Sequence, residues 1–305
     1  MSAPVDRDAA EDWIRTHVQP AGTIEAVHVR PWAAVLRVPL GAGVSYWFKA
    51  CPPAQAFEAR LTAGLFARWP DRVVEVVACD EQRAWLLLAD AGKSILKLGS
   101  PPEAWLAMLP RYAELQIGEA ENAGDHLAHG VPDLRVAILP TRYHELLRRD
   151  LPLEAEEVHR LRGFADRFAE LCAELAGDGV PGTVQHDDLH DVNIYAKSKR
   201  LRVLDWGDTS ISHPFASLVV TFRFVALRHG LQPDDPWFAR LRDAYLEPWG
   251  SRLTGTFALA MRVGAFAHTF GWARHRDQLD DEARARFDNP FGVVLRRALV
   301  QIERS

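Results

Sequence analysis

The sequence predicts an α+β protein with two lobes, a small one built mainly of antiparallel β-strands with one helix and a larger one that is mainly helical. Short runs rich in Val, Trp, Tyr and Phe dominate the first 90 residues. Apolar residues at helical spacing dominate the remainder. A chain of 305 residues, of which 48% are hydrophobic and 25% charged, is long enough for each lobe to bury a core. We therefore place the N-terminal lobe at residues 1–90 and the C-terminal lobe at residues 91–305.

The predicted N-terminal lobe begins with an amphipathic helix over residues 1–18. Strands are then expected at 24–30, 34–39, 44–50, 73–79 and 84–89, because these runs carry β-branched and aromatic residues. One helix lies between the third strand and the fourth, in AQAFEARLTAGLFARW, where Phe57, Leu61 and Leu65 form an apolar stripe. The turn at residues 90–92 ends this lobe.

The pattern beyond residue 92 is helical. Helices are predicted at 102–120, 141–149, 154–176, 214–230, 235–249, 254–276 and 281–302, and strand character returns only around 183–205. Aromatic residues at helical spacings are predicted to fill the core of this lobe: Trp237, Tyr245, Trp249, Phe266, Phe270 and Trp272.

Charge and composition exclude several classes of function. The formal net charge of -5 gives no basic surface for binding nucleic acid or an anionic membrane. The three cysteines are far apart in sequence, which predicts neither a disulfide framework nor a zinc site. No apolar run approaches the roughly 20 residues of a membrane span, and the N-terminus does not resemble a signal peptide. We expect a cytoplasmic protein.

The densest cluster of candidate catalytic residues lies in TVQHDDLHDVNIYAKSKRLRVLDWGD, residues 183–208. Two apolar runs flank a polar break and predict a β-hairpin. If Lys197 pairs with Leu201, Asn193 lies opposite Asp205. Asp188 lies five residues before Asn193, so we expect Asp188, Asn193 and Asp205 to converge.

These residue types suit phosphoryl transfer. Two carboxylates and an amide oxygen are the hard ligands that Mg²⁺ prefers. Phosphoryl transfer needs one carboxylate to accept the proton of the acceptor hydroxyl, and an Asn and an Asp to hold the metal. The segment therefore predicts a magnesium-dependent phosphotransferase site.

The same segment carries a family resemblance. The pattern His186-x-Asp188-x₄-Asn193, followed by Leu204-Asp205-Trp206, resembles the catalytic loop and metal strand of the aminoglycoside phosphotransferase and choline kinase superfamily. These are small-molecule kinases with a two-lobed, protein-kinase-like fold. The resemblance implies ATP and Mg²⁺ as cofactors, Asp188 as the catalytic base, and Asn193 and Asp205 as the metal ligands. The N-terminal lobe would bind the nucleotide, and the C-terminal lobe would carry the catalytic and substrate-binding residues.

The N-terminal lobe offers a cation for the phosphates. Lys49 lies at the end of an apolar strand, in a chain with only five lysines among 36 basic residues. A lysine in so arginine-rich a chain indicates that this position requires a compact ammonium group. Glu58, on the following helix, resembles the family's glutamate that pairs with this lysine. Residues 88–92 are predicted to form the hinge, where backbone groups of Ala89 and Ala91 hydrogen-bond adenine.

Two departures concern the nucleotide loop. The segment at residues 30–34 contains no glycine where a glycine-rich loop is expected, and Trp32 is placed over the site instead. The tripeptide Gly92-Lys93-Ser94 is not a P-loop, because that motif needs glycine at position 87 and the residue is Leu87.

A third departure keeps two other hypotheses open. Ser217 stands where the family commonly has an aspartate that supports the catalytic loop, so a nucleotide-binding pseudokinase with little transfer activity is one alternative. A metal-dependent hydrolase that uses His186, Asp188 and His190 is the other.

The acceptor is predicted to be a small hydroxylated metabolite or an antibiotic, with aminoglycosides as one candidate. The acidic run DQLDDEARARFDN could attract a cationic acceptor, but its alternating arginines favour a self-paired surface. The sequence names neither the acceptor nor the oligomeric state, and it leaves GTP open as the phosphate donor.

Overall fold

The computed structural model describes residues 6–30, 33–198, 200–250 and 252–303. The strands are β1 (Glu25–Arg30), β2 (Ala33–Gly41), β3 (Val44–Ala50), β4 (Val76–Asp80), β5 (Trp85–Leu88), β6 (Lys93–Ser94), β7 (Asp133–Leu134), β8 (Thr183–Gln185), β9 (Ile194–Lys197), β10 (Arg200–Val203) and β11 (Ser210–Ser212). The helices are α1 (Arg7–His17), α2 (Phe57–Arg68), α3 (Pro102–Glu119), α4 (Ala123–Ala128), α5 (Leu139–Leu147), α6 (Ala155–Gly163), α7 (Ala165–Ala176), α8 (Leu218–His229), α9 (Pro236–Leu246), α10 (Thr254–Arg276) and α11 (Asp281–Glu303).

The predicted α+β class is confirmed. The N-terminal strands form an antiparallel five-stranded sheet in the order β1-β2-β3-β5-β4, and the C-terminal part is helical. The chain divides into two compact units, the first formed by residues 1–104, 129–131 and 191–207, and the second by 105–128, 132–190 and 208–305. In the described part of the chain, no helix combines the length and the apolar character needed to cross a membrane.

The core of the first unit lies between α1 and the five-stranded sheet. Asp6 caps α1 by accepting hydrogen bonds from two backbone amides of the first turn. The helix buries Ala10 and Ile14 in a cluster with Phe48 of β3 and Trp85 of β5. The rings of Phe48 and Trp85 meet edge to face, with their centroids 5.4 Å apart. Burial of an aliphatic or aromatic side chain of this size stabilises the fold by about 2 kcal/mol.

The first unit also contains a second, three-stranded sheet in the order β10-β9-β6. The β9–β10 hairpin pairs Lys197 with Arg200 and Ile194 with Val203. The predicted pairing of Lys197 with Leu201 is therefore wrong by one residue, because the strands continue to the edge of a tighter turn than the four-residue polar break indicated. Asn193 consequently lies opposite Leu204 rather than Asp205, and the Leu204 amide donates a hydrogen bond of 2.9 Å to the Asn193 carbonyl.

The second unit packs its helices around α10 and holds the three-stranded sheet β7-β11-β8. An aromatic cluster joins α5, α7 and α10, with the ring of Phe168 4.7 Å from that of Tyr143 and 5.4 Å from that of Phe266. The single helix predicted over residues 154–176 is wrong: the chain forms α6 and α7, which are separated at Phe164. The helix propensity of Gly163, at the end of α6, is low, which is consistent with a break there.

Candidate functional site

Lys49 is the centre of a charged cluster in the first unit. It lies on β3, and its Nζ atom is 2.6 Å from Oε1 of Glu58 on α2 and 2.5 Å from Oδ1 of Asp205 after β10. The Lys49 side chain is 12% exposed and the Glu58 side chain 2%, whereas the Asp205 carboxylate is 55% exposed. The structure therefore brings together three of the predicted site residues, with a buried glutamate on one side of the ammonium and an accessible aspartate on the other.

The electrostatics of the cluster keep Lys49 charged. Burial alone would lower the pKa of Lys49, but the carboxylates of Asp205 and Glu58 outweigh it and hold that pKa well above its usual value. The thiol of Cys51 donates a hydrogen bond of 3.3 Å to Oε2 of Glu58. Burial raises the pKa of this thiol, so Cys51 acts as a neutral donor. Both oxygens of Glu58 are thus occupied, and its carboxylate is fixed beneath the ammonium.

Gly207 was not predicted as a site residue, and the structure gives it a packing role. A Cβ atom at this position would lie 2.7 Å from Oε2 of Glu58 and 2.9 Å from Nε2 of Gln55. A Cβ atom there would have to displace the ends of both side chains, and Lys49 and Cys51 hold Glu58 in place, so glycine lets the chain after Asp205 pass close to the buried glutamate. The sequence feature that could have indicated this packing role is the glycine in Asp205-Trp206-Gly207.

Asp205 and Asn193 are the predicted metal ligands. Asp205 has a φ of 63°, a left-handed conformation that costs energy for a residue with a Cβ atom and is concentrated at functional sites. Asn193 is buried, at 6% exposure, immediately before β9. A carboxylate oxygen and an amide oxygen are the donors that Mg²⁺ prefers, and the exposed carboxylate can reach an ion, so this donor set fits Mg²⁺.

The hinge segment follows β5. Its alanines are buried, with 8% exposure at Ala89 and 6% at Ala91. The amide of Ala89 donates to the Glu75 carbonyl at 2.9 Å, whereas no hydrogen bond from the amide of Ala91 is found in the described residues. The adenine-binding role of the backbone groups of Ala89 and Ala91 therefore stays a prediction.

Gly92 shapes the end of the hinge rather than a phosphate loop. Its φ is 90°, and a Cβ atom there would lie 2.3 Å from the carbonyl oxygen of Ala196 on β9. The Gly92 amide donates to Oδ1 of Asp90 at 2.9 Å, and Lys197 donates to the Asp90 carbonyl at 2.9 Å. Trp32, which was predicted to cover the site, lies outside the described residues.

Asp188 belongs to the second unit, and its side chain is 31% exposed. Its amide donates to Nδ1 of His186 at 3.3 Å, and its Oδ2 atom is 3.4 Å from Nε2 of His190. The ring of His190 stacks on Phe224 of α8 with a centroid distance of 4.1 Å. Thr221 of the same helix donates to the Leu189 carbonyl at 2.6 Å. The loop that carries Asp188 thus contacts α8 at Leu189 and at His190.

A metal centre at this loop would need several ligands close together. Throughout the residues that the structure describes, no group of three or more His, Cys, Asp or Glu side chains is placed to hold one ion. The hydrolase alternative therefore gains no geometric support from His186, Asp188 and His190.

Comparison with solved structures identifies the fold. The chain is similar to a macrolide 2'-phosphotransferase from Brachybacterium faecium, with 16% sequence identity, coverage of 95% of this chain and 97% of that one, and a TM-score of 0.61. It is also similar to a choline kinase from Streptococcus pneumoniae, with 11% identity, coverage of 96% of this chain and 98% of that one, and a TM-score of 0.63. A GDP complex of an aminoglycoside 2'-phosphotransferase is similar as well, with 14% identity, coverage of 96% of this chain and 97% of that one, and a TM-score of 0.60. The chain has the aminoglycoside phosphotransferase and choline kinase fold. No protein-family model and no curated protein matches the sequence.

Within this fold, Ser217 takes part in a buried network that supports the loop carrying His186 and Asp188. The Tyr112 hydroxyl accepts a hydrogen bond of 3.0 Å from the His186 amide and lies 2.9 Å from the Ser217 hydroxyl. Gln116 donates to Ser217 at 3.2 Å and to the Val184 carbonyl at 2.8 Å. Burial raises the pKa of Tyr112, so its hydroxyl stays protonated. Neutral hydrogen bonds thus support the loop at the position where an aspartate was expected.

Asp187 received no role from the sequence, and the structure shows its contacts. It has a φ of 59°, the left-handed conformation that glycine usually supplies. Its Oδ1 atom accepts from Gln185 at 2.9 Å and lies 3.2 Å from Nδ1 of His268 on α10. Trp272 donates to the other ring nitrogen of His268 at 3.1 Å. Asp187 therefore brings the loop that carries Asp188 into contact with α10. The sequence feature that could have indicated this is an aspartate at a position that favours glycine.

Proposed function

We propose that this protein is an ATP- and Mg²⁺-dependent small-molecule kinase that transfers the γ-phosphate to a hydroxyl group. The observation that carries the proposal is the contact of Lys49 with both Glu58 and Asp205. This arrangement fixes one ammonium for the nucleotide phosphates and leaves a carboxylate open to a metal ion. The similar structures, which include a macrolide phosphotransferase and a choline kinase, support the same class of reaction.

Nucleotide binding is assigned to the first unit. The Lys49 ammonium binds the α- and β-phosphates, and Glu58 holds it in position. The Ala89 carbonyl and the Ala91 amide bind the adenine edge, which presents a donor and an acceptor side by side. One of the similar structures is a GDP complex of an aminoglycoside phosphotransferase, so a comparison of ATP and GTP at saturating Mg²⁺ tests the adenine assignment directly.

Asn193 and Asp205 would hold Mg²⁺, which neutralises charge on the phosphates when it is bound. Asp188 orients the acceptor hydroxyl and accepts its proton. His190, whose Nε2 atom is 3.4 Å from the Asp188 carboxylate, would help to hold that carboxylate in place. The other residues of the site would position the nucleotide and the acceptor, and such positioning contributes most of the catalysis of phosphoryl transfer.

Substitutions of Asp188 and Asp205 give the most specific test of the kinase proposal, because the two carboxylates are assigned different roles. Asp188→Asn removes the proton acceptor, and Asp205→Asn removes a charged metal ligand. Both variants should lose transfer by roughly 10²-fold or more. Calorimetry with Mg²⁺ and a non-hydrolysable ATP analogue should give near-normal affinity for Asp188→Asn and clearly weakened affinity for Asp205→Asn. Asp166→Asn, at an exposed position on α7, serves as the matched control and should change neither quantity.

Each outcome separates the hypotheses. If Asp188→Asn loses nucleotide affinity while Asp205→Asn keeps it, the two roles are exchanged. If both variants turn over normally, the protein is not this kind of kinase. Tight nucleotide binding by the wild type, with no turnover over aminoglycosides, sugars, amino alcohols and hydroxy acids, would identify the pseudokinase alternative.

A further inference from the structure

A cleft in the second unit lies between α8, α10 and α11. It consists of two adjoining cavities of about 760 and 430 Å³. The two cavities share four lining residues: Arg223, Val293, Val294 and Arg297. We call this space the α8–α11 cleft.

The walls of the α8–α11 cleft are mainly apolar. Phe224, Leu227 and Trp272 line the larger cavity. Leu227 is 70% exposed, Val293 39% and Val300 45%, although all three are large apolar side chains. Apolar surface concentrated in this way around a concave site marks a place where a ligand or partner binds.

The polar groups of the cleft have one sign of charge. No acidic residue lines either cavity, whereas Arg223 and Arg297 line both. Within the described residues, neither arginine forms an ion pair with a carboxylate, while the neighbouring Arg296 is already paired with Glu157 at 2.7 Å. Burial lowers the pKa of Arg223, and so does the like charge of Arg297. The charges of Asp188 and Asp187 act on Arg223 from beyond ion-pair distance, so the faces of both guanidinium groups that line the cavities meet no carboxylate there.

The α8–α11 cleft also borders the proposed catalytic base. Phe224, which lines the larger cavity, stacks on the ring of His190, and His190 is 3.4 Å from the Asp188 carboxylate. Arg223 is close enough to Asp188 for the two charges to interact. A molecule in this cleft would therefore have one end near Asp188 and its body along α11.

We propose that the α8–α11 cleft binds the phosphate acceptor and that this acceptor is an amphipathic hydroxy acid, with an apolar body and an anionic group held by Arg223 and Arg297. The identification as an acceptor rests on the proposed kinase function. A cationic acceptor fits less well, because no carboxylate lines the cleft. The acidic run after α10 is already self-paired, with Arg276 2.5 Å from Asp288 and Arg286 2.9 Å from Glu282.

The reaction balances with the groups named. The acceptor hydroxyl gives its proton to Asp188, and its oxygen forms a bond to the γ-phosphorus. The bond from that phosphorus to the β–γ bridging oxygen breaks, and ADP leaves with the electron pair. The carboxylate of the acceptor takes no part in bond making and serves as the anchor for the two arginines.

Binding of three matched probes tests this assignment without any need for turnover. The compounds 10-hydroxydecanoate, 1,10-decanediol and 10-amino-1-decanol share a ten-carbon chain with a hydroxyl at one end, and the group at the other end is a carboxylate, a second hydroxyl or an ammonium. We expect the wild type to bind the acid at least about tenfold more tightly than the diol in calorimetry, since hydrogen bonds to a charged group contribute that much. The amine should bind most weakly.

Arg223→Gln and Arg297→Gln remove the charge while keeping much of the side-chain length. Each should weaken binding of the acid about tenfold and leave binding of the diol unchanged. Arg286→Gln is the control, because that arginine lies on α11 but is paired with Glu282 and does not line the cleft. The assignment is overturned if the amine binds as tightly as the acid, if the two Gln variants bind the acid normally, or if the acid does not bind at millimolar concentration.

Other readouts separate failure of this assignment from failure of the kinase proposal. If the acid binds through both arginines but stimulates no ADP release from ATP, the cleft is an anion site and the protein is not its kinase. If ATP is consumed with a cationic or neutral acceptor only, the kinase proposal stands and the acceptor class is wrong. A concentration-dependent dimer that Leu227→Asp abolishes, without probe binding, would assign the cleft to a second copy of the chain.

Discussion

Replacing Lys49 by methionine would leave Glu58 buried at 2% exposure without its cation. The 2.6 Å separation corresponds to a gross Coulomb attraction of about 6 kcal/mol at an effective dielectric constant near 20. Desolvation offsets much of this attraction, and removing one partner of a buried pair costs about 3 kcal/mol. We add nothing for Asp205, because its carboxylate is 55% exposed and largely solvated. Lys49→Met should therefore lower the free energy of unfolding by about 3 kcal/mol.

The companion change Glu58→Gln should cost less, about 1–2 kcal/mol, because the amide oxygen still accepts a hydrogen bond from the ammonium. The double variant lacks both the Lys49 ammonium and the Glu58 carboxylate, so no unpaired charge is left buried. The double variant should therefore lose less stability than the sum of the two single losses, by about 1–2 kcal/mol. Urea denaturation of the wild type, both single variants and the double variant measures this coupling. Lys97→Met, at an exposed lysine, is the control and should be close to neutral.

Nucleotide binding distinguishes the two functions assigned to Lys49. The double variant should regain part of its stability but none of its affinity for the Mg²⁺–ATP analogue, because the phosphate contact is still missing. Additive single losses, with coupling below about 0.5 kcal/mol, would refute the argument that Glu58 depends on Lys49 for its charge. Recovery of nucleotide affinity in the double variant would show that Lys49 does not bind the phosphates.

Two further changes test other parts of the structure. Gly207→Ala places a Cβ atom 2.7 Å from Glu58, so it should reduce both the melting temperature and nucleotide affinity, whereas Gly163→Ala, which has open space around it, should reduce neither. Burial lowers the pKa of His213 to about 4, so between pH 6.5 and 4 the unfolded chain binds a proton that the folded chain does not. Acidification through this range should lower the free energy of unfolding by about 3 kcal/mol. The variant His213→Asn can still cap the following turn, and it should remove this part of the pH dependence. If the free energy of unfolding changes with pH equally in the variant and the wild type, this prediction is wrong.

The sequence predicted the long elements well because each carries its own periodicity. The helix predicted at 254–276 coincides with α10, and the strand predicted at 44–50 coincides with β3. Strands of two residues, such as β6 and β7, carry no such pattern and are defined only by their partners. The hairpin register was misplaced by one residue for a related reason: Lys197 and Arg200 belong to the polar break but still pair, and only backbone pairing shows where the strands stop.

The candidate site was predictable where the chemistry is local and hidden where it depends on distant partners. Lys49 and Glu58 could be proposed from a strand and the helix that follows it. The network that supports the loop with Asp188 could not be proposed in this way, because it joins Tyr112 and Gln116 of α3 to Ser217, about 100 residues later. Trp272 was predicted to be a core residue, and its helical spacing could not show that it lines a cleft.

The division of the chain limits how the protein can be dissected. Residues 191–207 fold with the first unit, although residues on both sides of them belong to the second. A fragment that ends at Ala104 would keep Lys49 and Glu58 but would lack Asp205, and β6 would lose its pairing with β9. Such a fragment is no substitute for the intact cluster of Lys49, Glu58 and Asp205, and a circular permutant or a linked insertion of residues 191–207 would be needed to express the first unit alone.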